Sequence, residues 1–398
     1  MSKQQPDLTS QKVANRSLRL ALIVSEHTVY EYLVFLEHLL AGLVDESIPA
    51  VLICPATCDV ESVIFGAVEV IRYPAIKLPL MEPYNRNRLI EQLAEFRPTV
   101  LHCLCESQAG LAKHLARRLD LPYVLMVNSL RNQYNPAINC GPRVKHGAKY
   151  LAPSFTGGSH FTWGFLTSKH CAKIIVPAKS IAANMTKAYP RFAERIEQIN
   201  IGAFVEPHCV CFSNPSRLAS MVIAHSLDRV VDFENLFGAL RHLAINGYEF
   251  MLVVIGTGRA ERQLRKLLAA LDLSHSVTIV GRLKPWRSIL AAGDIFIQPQ
   301  PDAAFNPFLL EAMSVGSAVA ACKGEVDDLI IEGRTAVVFD PNDEISIRSC
   351  LQRLFDRKEF ARQLAKEAQQ YVRDNHSVNN MISATLRTYR EAEQWPKR

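Results

Sequence analysis

The sequence predicts an α/β chain of two tandem, doubly wound, Rossmann-like domains that face a cleft, with a final helix crossing back. Three observations carry that expectation. Apolar strand-like runs alternate with amphipathic helical runs through both halves of the chain. The strands are apolar at nearly every position instead of at every second one, as in parallel sheets covered on both faces. A polar, proline-containing stretch, "EPHCVCFSNPSR" at 206–217, stands between the halves and has the composition of a linker.

In order, residues 1–17 are polar and are expected to form a disordered tail. "LRLALIVS" (18–25) is the first buried strand, and "EYLVFLEHLLAGLVDE" (31–46) has the apolar spacing of a helix. Strands follow at 49–55 and 68–74, a helix at 87–96, a strand at 98–104 and a helix at 108–119. Further strands are expected at 122–128, 172–177 and 196–202, which completes a first domain over 18–205. Beyond the linker, a second domain is expected over 218–375. It opens with a strand at 219–225 and a helix at 233–247 that stops at a glycine. "EFMLVVIG" (249–256) then leads through "TGRA" into a second helical run, and "VTIVG", "IFIQP" and "SAVAAC" are the domain's later strands. Residues 376–398 hold a last helix, "NNMISATLRTYREAEQW", able to return across the joint.

The composition excludes several function classes. With 398 residues, 48% of them hydrophobic and 21% charged, the chain has room for two cores and none of the bias of a disordered or fibrous protein. No run of about 18 apolar residues suggests a membrane span. The polar start lacks the apolar centre of a secretory signal, so a cytoplasmic location is expected, with the membrane surface as an alternative. The ten cysteines form no paired C-x-x-C sites and no Cys/His grid, so reduced thiols, no metal site and no bound cofactor are expected. The net charge of +6 is uneven: nine Lys/Arg and no acid lie between Leu121 and Ala193. That stretch suits an anionic or lipid-linked ligand, or a peripheral contact with an acidic membrane. Nucleic-acid-binding aromatic motifs are absent, so no nucleic-acid partner is expected.

One stretch concentrates the chemistry. In "FNPFLLEAMSVGSAVAAC" (305–322), Asn306 suits a helix N-cap, Pro307 the first helical position and Gly316 the helix stop. The strand before it aims its carboxyl end at the helix start, where open α/β sheets bind ligands and free amides favour a phosphate. Glu311 lies one turn in, on an apolar helix. A buried carboxylate needs donors there, either paired ribose hydroxyls or a local partner such as Lys323 or backbone amides.

The run from "IGTGRAERQLRKLLAAL" through "LLEAMSVG" to "EGRTAVVFDP" resembles the donor domain of the group 1, retaining, GT-B-fold glycosyltransferases. The likeness covers most of 219–375, and the first half follows more faintly in "FRPTVLHCL", "LPYVLMVNSL" and "CAKIIVPAKSIAANM". The resemblance implies transfer of a sugar from a nucleotide-sugar (UDP-, GDP- or ADP-linked) with retention of configuration, in polysaccharide or glycolipid synthesis. It matches Glu311 to the second glutamate of the family's pair, which binds the nucleotide ribose. It matches Gly256 and Gly258 to the glycines after the domain's second strand, and Val280, Gly281, Arg282 and Leu283 to the segment beside the base. Phe308 and Leu309, at the helix start, join the donor-binding set. Basic side chains and helix amides would stabilise the departing diphosphate.

Departures from the family pattern are as specific as the match. The first glutamate of the pair falls at Ala303, with Asp302 beside it. The phosphate-binding Arg and Lys fall at His225 and at Val230 or Val231, leaving Arg229 as the nearest strong cation. Asp302 and Arg229 are therefore the catalytic candidates. The glycine-rich turn after the first strand is replaced by "VSEHTVYEY", and the usual histidine falls at Asn128. On the acceptor side Asn128, His27 and His102 are the candidates. Losing one preorganised donor or cation typically costs about 10²–10³ in rate. Two readings follow: a transferase with a rearranged site, or a catalytically impaired homologue that binds or scaffolds.

Overall fold

A computed structural model describes residues 18–60, 68–74, 82–130, 166–214, 218–281, 283 and 286–396. The tail 1–17, much of the acid-free stretch (131–165) and Arg282 lie outside the described residues. Among these residues two parallel sheets form, each wrapped by helices.

The first sheet comprises β1 (Leu20–Ile23), β2 (Ala50–Pro55), β3 (Glu69–Tyr73), β4 (Val100–Cys103), β5 (Tyr123–Met126), β6 (Cys171–Val176) and β7 (Ile196–Gln198). Their order is β3-β2-β1-β4-β5-β6-β7, and every pair is parallel. β1, β4 and β5 are buried at every position, which is why they read as continuous apolar runs. The second sheet comprises β8 (Ala219–Ala224), β9 (Phe250–Ile255), β10 (Val277–Val280), β11 (Ile295–Gln298), β12 (Ala318–Ala321) and β13 (Val337–Val338), in the order β10-β9-β8-β11-β12-β13. In both sheets the chain reverses direction beside the first strand, the crevice where doubly wound folds take ligands.

Two expectations are corrected. The strand foreseen at 196–202 ends at Gln198. The helix foreseen at 31–46 runs as α2 (Leu33–Asp45), and a short helix that was not foreseen, α1 (Glu26–Glu31), precedes it. Ser25 starts α1 early through a reciprocal cap: its Oγ accepts from the Thr28 amide at 3.2 Å, and Thr28 Oγ1 accepts from the Ser25 amide at 3.4 Å. The cap explains the glycine-free turn after β1, because a capped helix start replaces a glycine loop there. The break at Tyr32 falls where that side chain turns towards the second domain.

The chain end ties the halves together. A long helix at Lys358–Asn375 packs on the second domain, and at His376 the chain turns, with Nδ1 2.8 Å from the Ile201 carbonyl. The final helix, Val378–Glu393, then lies across β4, β5, β6 and α2 of the first domain. Its Tyr389 is fully buried, and its Glu391 pairs with Lys173. No helix among the described residues is long and apolar enough to cross a membrane.

Candidate functional site

The helix foreseen around Glu311 runs from Pro307 to Val315, with the expected ends. Asn306 caps it through Oδ1, which accepts from the Leu309 amide at 3.1 Å, and Gly316 stops it at φ +83°. The cap has a chemical consequence. Pro307 has no amide, Leu309 is engaged by Oδ1, and the Leu310 amide donates to the Asn306 carbonyl at 3.3 Å. Of the first-turn amides offered to a phosphate in the sequence reading, Phe308 N alone is not engaged by the cap.

Glu311 is buried on this helix, and its partner is Arg287 and not the Lys323 expected from the sequence. Lys323 pairs with Glu332 at 3.7 Å. The Arg287 Nη1 meets Glu311 Oε2, and the Ser314 hydroxyl lies 3.3 Å from the same oxygen. Sequence spacing could not have shown this pair, because Arg287 begins a separate helix, Trp286–Ala291.

The two loop glycines are explained by close packing. A Cβ at Gly256 would lie 2.0 Å from the His225 carbonyl oxygen, and one at Gly258 would lie 2.1 Å from the Leu227 carbonyl carbon. Both therefore press the "IGTG" turn onto the loop after β8, with their bare faces turned to the protein's own backbone. Gly281 is less crowded: among the described residues a Cβ there would meet only Thr257 Cγ2, at 3.8 Å, and Leu283 is exposed. Phe308 is not a surface that greets a ligand. Its ring stacks edge-on against Trp286, with centroids 4.7 Å apart, and against Tyr30 of the first domain at 6.0 Å. Leu309 is likewise core.

The two catalytic candidates are each engaged by their own neighbours. Arg229 is exposed and its Nε lies 3.6 Å from Asp232. Asp302 builds a turn: its Oδ1 accepts from the Ala304 amide at 3.0 Å, and its carbonyl accepts from Glu325 and Val326, each at 3.1 Å. His225 packs edge-on to Phe233 with Nδ1 against the Ser226 carbonyl. Arg259, after Gly258, is a further exposed cation, 3.9 Å from Asp228.

On the first-domain side, His102 leaves the candidate list. It is fully buried beneath the final helix, with Nδ1 2.6 Å from the Tyr389 hydroxyl, and burial pushes its pKa down to about 3. It is a neutral core histidine. His27 is exposed and pairs with Glu31 at 3.1 Å, a contact that raises its pKa. Asn128 sits at the carboxyl end of β5. Its amide donates to Glu106 Oε1 at 2.6 Å, while its buried Oδ1 has no hydrogen-bond partner among the described residues. Glu106, which the sequence reading passed over, is pushed up to about 7 by burial, against the pull of the Asn128 and Ser129 amides.

The two domains meet beside Asn128 and Ala303. Leu130 N donates to the Ala303 carbonyl at 2.7 Å and Phe305 N to the Asn128 carbonyl at 2.9 Å, with Ser129 and Ala304 paired as an antiparallel bridge. The Tyr32 hydroxyl donates to the Phe305 carbonyl at 3.1 Å, and Trp286 Nε1 donates to the Tyr30 carbonyl at 2.9 Å. This backbone clasp spans the cleft.

Residues 214–371 match the family model described as glycosyl transferases group 1, and residues 33–203 match that of glycosyltransferase family 4. The alpha-D-kanosaminyltransferase of Streptomyces kanamyceticus is 26% identical over 156 residues, a match spanning 38% of this chain and 40% of that one. The sucrose-phosphate synthase of Thermosynechococcus elongatus superposes with a TM-score of 0.72 at 16% identity, over 94% of this chain and 98% of that one. Anabaena Alr3699/HepE in complex with UDP-glucose superposes with a TM-score of 0.70 at 14% identity, over 93% and 99%. At these identities the structural likeness establishes the shared two-domain fold.

Proposed function

From the premise that the chain belongs to the group 1 glycosyltransferases, we propose that it binds a nucleotide-sugar in the second domain through Glu311 and transfers the sugar with retention of configuration. The ribose hydroxyls donate to Glu311, the base lies along Val280, Gly281, Arg282 and Leu283, and the diphosphate reaches the Phe308 amide. Arg229 and Arg259, both exposed beside this loop, supply the positive charge that the family places at His225 and Val230. Asn128 Oδ1, a buried acceptor with no hydrogen-bond partner among the described residues, takes a hydroxyl of the sugar or of the acceptor. The acceptor is anionic or lipid-linked, a reading supported by the acid-free basic stretch from Leu121 to Ala193. Such a substrate would bring the protein to a membrane surface, in polysaccharide or glycolipid synthesis.

The observation that carries this reading is the buried carboxylate of Glu311, held one turn into a capped helix at the carboxyl edge of a doubly wound sheet. Thermal unfolding with UDP, GDP and ADP tests it, beside the variant Glu311→Ala. A nucleotide at 100 times its dissociation constant adds about 2.7 kcal/mol, or roughly 2–4 °C for domains of this size. A shift with one nucleotide that disappears in the variant is expected. No shift with any of the three would remove Glu311 as a ribose ligand.

A second reading is favoured by the clasp: a homologue that binds nucleotide or partner without turnover. The backbone pairing of Ser129 with Ala304 occupies the ground between Asn128 and Ala303, where the family resemblance places its histidine and first glutamate. Release of free sugar or of UDP from UDP-glucose above the uncatalysed rate would exclude this second reading.

A further inference from the structure

Arg287 lies where three parts of the molecule meet. Its Nη1 takes Glu311 Oε2 and lies 3.3 Å from Ser314 Oγ, both on the Glu311 helix. Its Nη2 donates to the Phe204 carbonyl at 2.7 Å and lies 3.3 Å from Glu206 Oε1, both on the strand of chain crossing between the domains. From the first domain, Glu37 and His38 on α2 both feel its positive charge. The guanidinium is thus held on its far side by the Phe204 carbonyl and Glu206, which lie outside the Glu311 helix.

A buried ion pair is weak evidence of stability, since an apolar pair of similar volume often serves as well. Its value here lies in what it does to the carboxylate. Glu311 is almost wholly buried, and an isolated carboxylate there would take up a proton and become a donor in place of an acceptor. The guanidinium and the Ser314 hydroxyl both engage Oε2, which among the described residues leaves Oε1 for another donor. Paired ribose hydroxyls are donors of that kind.

We propose that Arg287 is the positioning residue of the nucleotide site: it keeps Glu311 ionised and turned so that Oε1 is presented to the ribose hydroxyls of a nucleoside diphosphate. The inference rests on Glu311 being the ribose ligand, as proposed above. It assigns a role to a residue that no family motif quoted above contains.

The test compares UDP with 2′-deoxy-UDP, and GDP and ADP with their 2′-deoxy forms, by calorimetric titration. A hydrogen bond to a charged group is worth about 1.5–3 kcal/mol, so the wild type should prefer the ribonucleotide by about tenfold or more. Glu311→Ala should erase that preference. Arg287→Met should erase it as well, whereas a purely structural arginine would weaken both nucleotides equally and leave their ratio intact. Arg287→Lys, which restores the charge without the fork, should recover part of the preference. If Arg287→Met folds poorly, Arg287→Gln, which keeps a donor towards Oε2 but not the charge, should fold and should show a reduced preference; an undiminished preference overturns the positioning role. A preference that survives Glu311→Ala, or that the wild type lacks, overturns the ribose reading itself. A preference lost in Glu311→Ala but kept in Arg287→Met overturns the positioning role alone.

Discussion

A histidine with no access to water is a proton-linked cost, and His102 shows how its sign runs. Its folded pKa lies near 3 against 6.5 for an ordinary histidine, so the stability it contributes is intact above pH 6.5 and is lost as the pH falls towards 3. Each unit in that window is worth about 1.4 kcal/mol. His102→Gln keeps an acceptor for the Tyr389 hydroxyl and removes the titration. Between pH 6 and pH 4 its urea midpoint should therefore fall less steeply than the wild type's; parallel profiles would refute the account. Glu106 runs the other way. Its raised pKa, near 7 against 4.5, means that stability is lost as the pH rises across that interval. Glu106→Gln should accordingly gain most, relative to the wild type, above pH 7. At this scale the sequence was only half legible. Glu311 announced itself as a lone acid in an apolar helix, but Arg287 did not, because what joins them is a tertiary contact between two helices. His102 looked like a candidate base because a histidine in a strand has the same letter whichever face of the sheet it occupies.

Elements were far more legible than contacts. The ends of the Pro307–Val315 helix were readable because each end needs a particular backbone property: a short polar side chain at Asn306, a preset φ at Pro307 and a left-handed residue at Gly316. Asn306→Ala should cost about 1 kcal/mol, seen as a fall of roughly 2–4 °C in melting temperature. The same change frees the Leu309 amide, so any phosphate affinity should hold or rise while stability falls. Gly316→Ala should cost more, since its φ is +83° and a Cβ would lie 2.8 Å from the Cys209 Cα. A melting temperature unchanged in both variants would show that the helix is held by its packing alone. The break at Tyr32 was not legible. Apolar helical spacing is legible only from Glu31 onward, whereas α1 reads EHTVYE, and only the capping pair of Ser25 and Thr28 marks its start. The parallel class of both sheets could be read from strands buried on two faces, whereas their strand order depends on crossovers that leave no local signal.

At the scale of the whole molecule, the decisive feature is that the domains touch through backbone. Two amide-to-carbonyl bonds, Leu130 to Ala303 and Phe305 to Asn128, join the domains there, with the Tyr32 hydroxyl and the Trp286 indole beside them. Each such bond contributes about 0.5–1.5 kcal/mol net. If a nucleotide occupies the second domain and its sugar points at Ala303, the nucleotide can enter with the clasp intact but the sugar cannot. UDP should then bind the wild type more tightly than UDP-glucose, by a factor set by the cost of opening. Tyr32→Phe removes one clasp bond while preserving the ring that fills the space, which lowers that cost by about 1 kcal/mol, or roughly fivefold in affinity. UDP-glucose should therefore gain about fivefold in the variant while UDP stays where it was. Calorimetric titration of both ligands against both proteins measures the two ratios directly. Equal gains for the two ligands would mean that the hydroxyl tunes the nucleotide pocket and not the opening. No gain for either would mean that the sugar never meets the clasp, so that a donor, if one binds, lies along a different path through the cleft.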